Sequence, residues 1–396
     1  MPPPPPPPPG PAPKPSGPAY KHDGSDLNSV LFARVDKVEA IEPVRPSTPP
    51  DFGPEVFHEV HFDWINASDL YNLLQRAPVA ISSVSRRLVF LILDAPCPPQ
   101  FGSQLLVIDV RSNAAYDSEH VRSSISVDWE ALECADMLDC EATVHQRFWH
   151  RRFFNVVLYD DESTPEAEAT TLASFSAALQ TEKRCSRTVH KLRGGLRQFM
   201  EAYPFLVKGH PAFTDAEFPS EIKDGFLFLG SWKSASNLEA LKALNITRIV
   251  NATASCDMPF DQQAVYLHCP LDDKPDHDLS QFFGDFIAFV RKAQGEGQRV
   301  LVHCQMGMSR SSALAILWMM DFHDMTLKQA YDYVHSKRPY INPNPGFLKQ
   351  LGEWEHANRG SSTIRFPEDD APITLITPYE WLQADGTWKM RVLKHQ

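Results

Sequence analysis

The chain has 396 residues, enough for two domains of ordinary size with tails. Its formal net charge of −12 argues against a nucleic-acid binder and against a polybasic membrane anchor, because both need clustered Lys and Arg. The 7 cysteines form no CxxC pair, which argues against a zinc site and a disulfide framework. Reduced thiols in the cytoplasm or nucleus fit this pattern best. The apolar run at residues 88–93 is too short to span a membrane.

The first half of the chain reads as a tail followed by one globular block. Residues 1–54 are rich in Pro, which favours a disordered tail with polyproline II character. Residues 55–210 form the first block. It has predicted buried strands at 105–110 and 156–159, a helix over 167–179, and a second helix around Phe199 after a Gly-Gly turn. Strands that alternate with helices predict a parallel α/β sheet.

Residues 218–358 form a second block of the same class. Its predicted strands and helices alternate, so the sequence predicts two α/β domains with mostly parallel sheets. The predicted strands lie at 226–229, 248–251, 265–267 and 300–302, and the predicted helices at 236–244, 279–292, 327–334 and 347–355. Residues 359–396 form a C-terminal extension in which Asp385-Gly386, between two Trp-containing runs, predicts a hairpin.

The segment 302–311 carries the strongest chemical signal. Cys304 is followed by five residues and then Arg310, between a predicted strand and a helix. Backbone N–H groups of such a loop and the helix N-terminus form an anion cradle, which also lowers the thiol pKa. Gly307 lets the loop approach a phosphate closely, and Arg310 offers a planar fork of donors. Ser311 can donate to the sulfur. Cys304 is therefore the predicted nucleophile of a phosphoryl transfer.

A thiolate nucleophile needs a proton donor for the leaving oxygen. Asp272 and Asp273 follow a predicted strand in a polar loop, and either can serve as general acid if that loop lies over the cradle. Asp276 and Asp278 are weaker candidates. This chemistry requires no metal and no cofactor.

The second block resembles the catalytic domain of cysteine-dependent dual-specificity protein phosphatases. The likeness rests on Leu229-Gly230-Ser231 with Ala235-Ser236-Asn237, Pro270 through Ser280, His303 through Ser311, and Pro343-Asn344 with Phe347, Gln350 and Leu351. The resemblance implies that Asp273 is the acid and that Asn344 braces the phosphate loop. It implies the catalytic residues Cys304, Arg310, Asp273 and Ser311, and a phosphate loop of His303, Gln305, Met306, Gly307, Met308 and Ser309. Neutral Gln305 and Met308 favour a phosphoprotein over an inositol lipid.

The first block resembles a rhodanese-like domain. The likeness rests on Asp109-Val110-Arg111, Tyr116, Glu119-His120-Val121, Val156 through Asp160 and Leu192 through Gly195. Residues 161–164 stand where an active sulfurtransferase has its Cys, which implies an inactive domain that docks a partner. An inactive rhodanese-like domain ahead of such a phosphatase domain is the layout of MAP kinase phosphatases. The layout implies hydrolysis of phosphotyrosine and phosphoserine or phosphothreonine through a phosphocysteine, with a MAP kinase as substrate.

One departure and three alternatives stay open. Where the layout places a basic docking cluster, residues 130–141 are acidic; the basic candidates nearby are Arg86, Arg87, Arg147, Arg151 and Arg152. The HCxMGxSRS form and residues 330–334 look locally like slingshot-type cofilin phosphatases, which have a non-kinase substrate. A phosphoprotein-binding scaffold is a second alternative. Redox control, in which Cys256 or Cys269 captures an oxidised Cys304, is a third.

Overall fold

A computed structural model describes residues 61–76, 105–129, 155–182, 188–223, 225–366 and 372–391. Within these residues the strands form two five-stranded sheets, a three-stranded sheet near the C-terminus and a short two-stranded pair. The predicted tail of residues 1–54 lies outside the described residues, and so do the acidic segment 130–141 and the basic candidates Arg86, Arg87, Arg147, Arg151 and Arg152.

The first five-stranded sheet is parallel throughout, with strand order β1-β6-β5-β2-β4. Its elements in chain order are β1 (His61–Ile65), α1 (Ala67–Arg76), β2 (Leu105–Asp109), α2 (Asn113–Ser118), β3 (His120–Val121), β4 (Ile125–Ser126), β5 (Asn155–Tyr159), α3 (Thr170–Glu182), β6 (Thr188–Leu192), α4 (Gly195–Ala202) and β7 (Val207–Lys208), where β3 and β7 form the separate pair. Strand β2 is buried along its whole length, as a strand covered on both faces must be.

Helix α3 begins at Thr170 rather than at the predicted 167. The backbone N–H of Ala167 donates to the carbonyl oxygen of Thr164, and the N–H of Ala169 donates to the Ser163 hydroxyl. These bonds satisfy the donors in a turn, so the helix starts one turn later.

The second five-stranded sheet has the order β11-β10-β12-β9-β8, with only the edge pair β8–β9 antiparallel. Its elements are β8 (Ser220–Lys223), β9 (Leu227–Ser231), α5 (Trp232–Ala235), α6 (Leu238–Ala243), β10 (Ile246–Asn251), β11 (Val265–His268), α7 (Phe283–Gly295), β12 (Arg299–Cys304), α8 (Arg310–Phe322), α9 (Leu327–Lys337) and α10 (Pro345–Arg359). The two sheets confirm the predicted fold class of two α/β units.

Strand residues of the second sheet alternate between two apolar clusters. Leu229 and Val302 belong to the cluster that contains α8, whereas Phe228 and Leu301 belong to a second cluster. This period of two is the pleat of the strands. The second cluster also contains Tyr71 of α1, so one apolar core joins the first sheet's helices to the second sheet.

The C-terminal sheet comprises β13 (Ile364–Arg365), β14 (Tyr379–Leu382) and β15 (Trp388–Arg391), all antiparallel. Strands β14 and β15 flank Asp385 and Gly386, and Gly386 has a φ of 81°, as the Asp-Gly pattern predicts. Among the described residues, no helix is both long and apolar enough to cross a bilayer.

Candidate active site

The predicted phosphate loop joins the central strand of the second sheet to its most buried helix. Strand β12 ends at Cys304, and α8 begins at Arg310 with Ser309 as its N-cap residue. Parallel neighbours β9 and β10 flank β12, and the N–H of Ala252 donates to the carbonyl oxygen of His303 over 2.9 Å. The loop therefore lies at the carboxyl edge of the sheet, in line with the N-terminus of a 13-residue helix.

Four consecutive carbonyl oxygens of the loop accept hydrogen bonds from groups outside it. The pairs are Trp232 N–H to Gln305 O (3.3 Å), Arg338 Nη2 to Met306 O (3.3 Å), Arg338 Nε to Gly307 O (2.8 Å) and Asn342 N–H to Met308 O (2.8 Å). A peptide C=O and the N–H of the same peptide plane point in opposite directions. Carbonyls held outward thus turn the amides toward the inside of the loop, an arrangement suited to an anion. Gly307 has a φ of 70°, which the loop's turn requires.

The sulfur of Cys304 lies at the base of this loop. It accepts hydrogen bonds from the Ser311 hydroxyl at 3.1 Å and from the Gly307 N–H at 3.2 Å. Burial opposes ionisation, but the Ser311 donors, the charge of Arg310 and the Gly307 N–H outweigh it, and the pKa of Cys304 lies below its ordinary value. The residue is only 1% exposed.

Arg310 and Asp273 lie together over the loop. Arg310 Nη1 donates to the carbonyl oxygen of Leu271 at 3.1 Å, and its Nε lies 3.7 Å from Asp273 Oδ2. Asp273 Oδ1 accepts from the Ser309 hydroxyl at 2.6 Å and from the Asn344 side-chain amide at 2.8 Å. The structure therefore brings all three predicted elements to one place: the phosphate loop, the acidic loop and the start of α10.

Asp272 has a different side-chain partner. Its carboxylate accepts from the Lys274 ammonium at 2.9 Å, and this hydrogen bond, together with the Lys274 charge, lowers the pKa of Asp272. Asp278 accepts from the Ser280 hydroxyl at 2.6 Å at the start of the next helical turn. The contacts thus distinguish Asp273 from its neighbours.

The remaining candidates differ in their surroundings. Burial lowers the pKa of His303 to about 4, so this side chain is neutral at physiological pH. Burial raises the pKa of the Cys269 thiol to about 12, which makes it a poor nucleophile. The Cys256 thiol donates to Gln305 Oε1 at 3.1 Å and is partly exposed. Cys256, one of the two thiols named for redox control, therefore hydrogen-bonds to the phosphate loop.

Arg338 is a site residue that the sequence reasoning missed. It is 4% exposed and donates to the carbonyl oxygens of Met306 and Gly307 as well as to the Ser220 hydroxyl at 3.1 Å. Arg338 lies six positions before Asn344, but nothing in the sequence indicates that it reaches the loop.

A cleft of about 560 Å³ opens at the carboxyl edge of the first sheet. Arg111 pairs there with Asp109 and with Asp161, each at 2.8 Å. The loop after β5 carries Asp161 and Glu162, and residues 160–169 contain no cysteine. No group of His, Cys, Asp and Glu in the described part of the chain is arranged to hold a metal ion.

Comparison with known proteins identifies both blocks. Residues 227–357 match the dual specificity phosphatase catalytic domain, and residues 99–202 match the rhodanese-like domain. Dual specificity protein phosphatase 2 of Mus musculus is 31% identical over 288 residues, which cover 65% of this chain and 91% of that protein. A probable rhodanese domain-containing dual specificity protein phosphatase of Dictyostelium discoideum is 25% identical over 350 residues, covering 74% of this chain and 68% of that one. The crystal structure of human DUSP28 is 31% identical with a TM-score of 0.34, covering 36% of this chain and 95% of that chain.

Proposed function

The chain belongs to the dual specificity protein phosphatases, and from that premise we propose that it dephosphorylates proteins through a phosphocysteine formed on Cys304. As a protein-tyrosine/serine/threonine phosphatase it acts on phosphoproteins. The observation that carries the proposal is the thiol of lowered pKa at the base of the loop, bonded by Ser311 and Gly307.

In the first step the Cys304 sulfur attacks phosphorus in line, and the bond from phosphorus to the leaving oxygen breaks. Arg310 and the inward amides bind the three non-bridging oxygens, where negative charge must be stabilised. Asp273 gives its proton to the leaving oxygen. Its contacts with Ser309 of the loop and with Asn344 support this role over that of Asp272.

In the second step a water molecule attacks the phosphocysteine. Asp273, now ionised, takes a proton from that water, and the sulfur leaves as a thiolate. The Ser311 hydroxyl donates to the sulfur at 3.1 Å and stabilises the charge that develops there. The free thiols Cys256, Cys269 and Cys304 fit a reducing compartment, which supports a site of action in the cytoplasm or nucleus.

We propose a phosphorylated MAP kinase as the physiological substrate. The order of the two domains supports this, with a rhodanese-like domain before the phosphatase domain. The loop after β5 carries no thiol, which supports a docking rather than a sulfur-transferring role for the first domain. The neutral side chains of Gln305 and Met308 support a phosphoprotein over a highly charged inositol phosphate.

Hydrolysis of an aryl phosphate by the wild-type chain and by Cys304→Ser tests the chemistry. We expect loss of activity in Cys304→Ser and nearly full activity in the control Cys269→Ala, which removes a buried thiol of raised pKa. Equal rates for wild type and Cys304→Ser would reject the mechanism. For the substrate, a doubly phosphorylated MAP kinase and phosphorylated cofilin are compared at equal concentration. Faster hydrolysis of phosphocofilin would replace the kinase by the slingshot-type alternative.

A further inference from the structure

Helix α1, which belongs to the first block of the chain (residues 55–210), hydrogen-bonds to the outer edge of strand β8 in the second sheet. The Asn72 side-chain amide donates to the carbonyl oxygen of Glu221 at 2.7 Å, and the N–H of Glu221 donates back to Asn72 Oδ1 at 2.8 Å. One residue earlier, the Tyr71 hydroxyl donates to the carbonyl oxygen of Pro219 at 2.6 Å. Asn72 thus satisfies an edge-strand backbone as a neighbouring strand would.

This contact is buried and fully paired. Tyr71 and Asn72 are 0% and 2% exposed, and Glu221 is 4% exposed. The Glu221 carboxylate accepts from the Tyr203 hydroxyl at 2.6 Å and from the Gly225 N–H at 2.7 Å. A buried polar group that loses its partner destabilises the fold, so this joint resists opening.

Ser220 lies between the two anchored residues, Pro219 and Glu221. Its hydroxyl accepts from Arg338 Nη1 at 3.1 Å. The other nitrogens of the same guanidinium donate to the carbonyl oxygens of Gly307 and Met306. Because the guanidinium is planar and rigid, fixing one corner at Ser220 fixes the direction of the remaining donors. The Gly307 N–H in turn donates to Cys304 Sγ at 3.2 Å.

A second tie joins the same elements. Lys337 Nζ lies 2.9 Å from Asp69 Oδ1, one turn before Asn72 on helix α1. Helix α1 therefore contacts strand β8 directly. Through Lys337 it also contacts the end of α9, which Arg338 follows.

We propose that Tyr71 and Asn72 are positioning residues for the phosphate loop, acting through strand β8, Ser220 and Arg338 on the peptide that faces Cys304. The first unit then contributes to the chemistry without touching substrate. This inference rests on the proposed function in one respect, that Cys304 is the reactive group.

Two consequences separate this role from simple attachment of one unit to the other. If α1 only attaches the units, removing its hydrogen bonds lowers the melting temperature and leaves the loop of the folded molecules unchanged. If α1 positions the loop, the same change weakens the Gly307 N–H contact with the sulfur. The thiolate of Cys304 then forms at higher pH, and turnover falls in molecules that remain folded.

The test compares the full chain with Asn72→Ala, Tyr71→Phe and the matched control Gln75→Ala. Gln75 lies on the same helix and donates only to the carbonyl oxygen of Tyr71 within that helix, at 2.9 Å. Tyr71→Phe keeps the ring that stacks on Tyr203 at 4.6 Å and removes a single hydroxyl, so it serves if Asn72→Ala fails to fold. The readouts are the pH midpoint of Cys304 alkylation by iodoacetamide, kcat/KM for para-nitrophenyl phosphate, and the melting temperature.

We expect a higher alkylation midpoint and a kcat/KM roughly tenfold lower for Asn72→Ala, a smaller change of the same sign for Tyr71→Phe, and wild-type values for Gln75→Ala. Midpoints and kcat/KM equal to those of Gln75→Ala in both variants would overturn the inference. The alkylation readout needs no turnover. It therefore still decides this inference if Cys304→Ser retains activity and the proposed function fails.

Discussion

Asn344 donates a hydrogen bond from its side-chain amide to the carboxylate of Asp273 over 2.8 Å. The oxygen of the same side chain accepts from the Phe347 N–H at 3.0 Å and caps helix α10. A single residue therefore starts the last helix of the second unit and holds the acidic loop over the phosphate loop. The two roles use different atoms, so substitution can separate them.

Asn344→Ser keeps a capping oxygen and loses the amide donor. We expect its free energy of unfolding to stay within about 0.5 kcal/mol of wild type, since Ser and Asn are similar caps. Its kcat should fall, because Asp273 loses one of the groups that position it. The control Thr326→Ala removes the cap of α9, away from the site, and should lower stability by about 1 kcal/mol with unchanged kcat. Chemical denaturation and aryl phosphate turnover measure the two effects. Normal kcat in Asn344→Ser would remove Asn344 from the site.

Asp273→Asn should lower kcat by roughly 10²–10⁴, the usual contribution of a general acid. Asp272→Asn should change kcat only slightly, because its carboxylate pairs with Lys274 in an exposed position. The loss in Asp273→Asn should be larger for a phosphotyrosine peptide than for para-nitrophenyl phosphate, whose leaving group needs less protonation. Steady-state kinetics on both substrates decides the assignment. If Asp272→Asn is the damaging change, the acid has been assigned to the wrong carboxylate.

The sequence predicted the elements whose signal is local. The segment from Cys304 to Arg310 lies between an apolar run and a helical pattern. The strand and the helix appear where these patterns place them. The two carboxylates were harder to separate. The sequence puts Asp272 and Asp273 side by side in one loop, and only the contacts with Ser309 and Asn344, 36 and 71 positions away, distinguish them.

The contacts of Arg338 and of helix α1 could not be predicted for the same reason, because their partners are distant along the chain. Arg338 bonds a carbonyl oxygen 31 positions before it, and Asn72 bonds a backbone 149 positions after it. Nothing in the local pattern of residues 67–76 indicates a partner, because the strand that they contact is defined only when β8 pairs with β9. Long-range polar pairing of this kind depends on tertiary placement rather than on periodicity.

Gly307→Ala should abolish activity and destabilise the loop. A Cβ at Gly307 would lie 2.5 Å from the carbonyl oxygen of Gly230 and 2.5 Å from Arg338 Nη2, so the loop must move. Gly297→Ala is the matched control, since Gly297 has a similar φ of 65° and no heavy atom within 4 Å of the added carbon. We expect the control to lose about 1–2 kcal/mol for the left-handed backbone alone and to keep its kcat. Equal turnover of the two variants would contradict the close packing of the loop.

His303 should make the fold sensitive to acid. Burial holds its pKa at about 4 in the folded chain against an ordinary 6.5, so the unfolded state binds the proton first as the pH falls. The contribution of neutral His303 to the free energy of unfolding is fully present above pH 6.5. It is lost as the pH falls toward 4, by about 3 kcal/mol in all. His303→Asn removes this titration. The free energy of unfolding, measured by denaturation across that range, should fall more steeply with decreasing pH for wild type than for the variant. Equal slopes would show that His303 is not held neutral.

The most direct measurement is the identity of the covalent intermediate. In Ser311→Ala the sulfur loses the hydroxyl that donates to it at 3.1 Å, so the thiolate leaves more slowly and the intermediate accumulates. Rapid acid quench with para-nitrophenyl phosphate, followed by peptide mass spectrometry, locates the phosphoryl group. We expect one added phosphoryl group on Cys304, and none in Ser311→Ala that also carries Cys304→Ser. Turnover with no adduct, or an adduct on another residue, would contradict the proposed phosphocysteine.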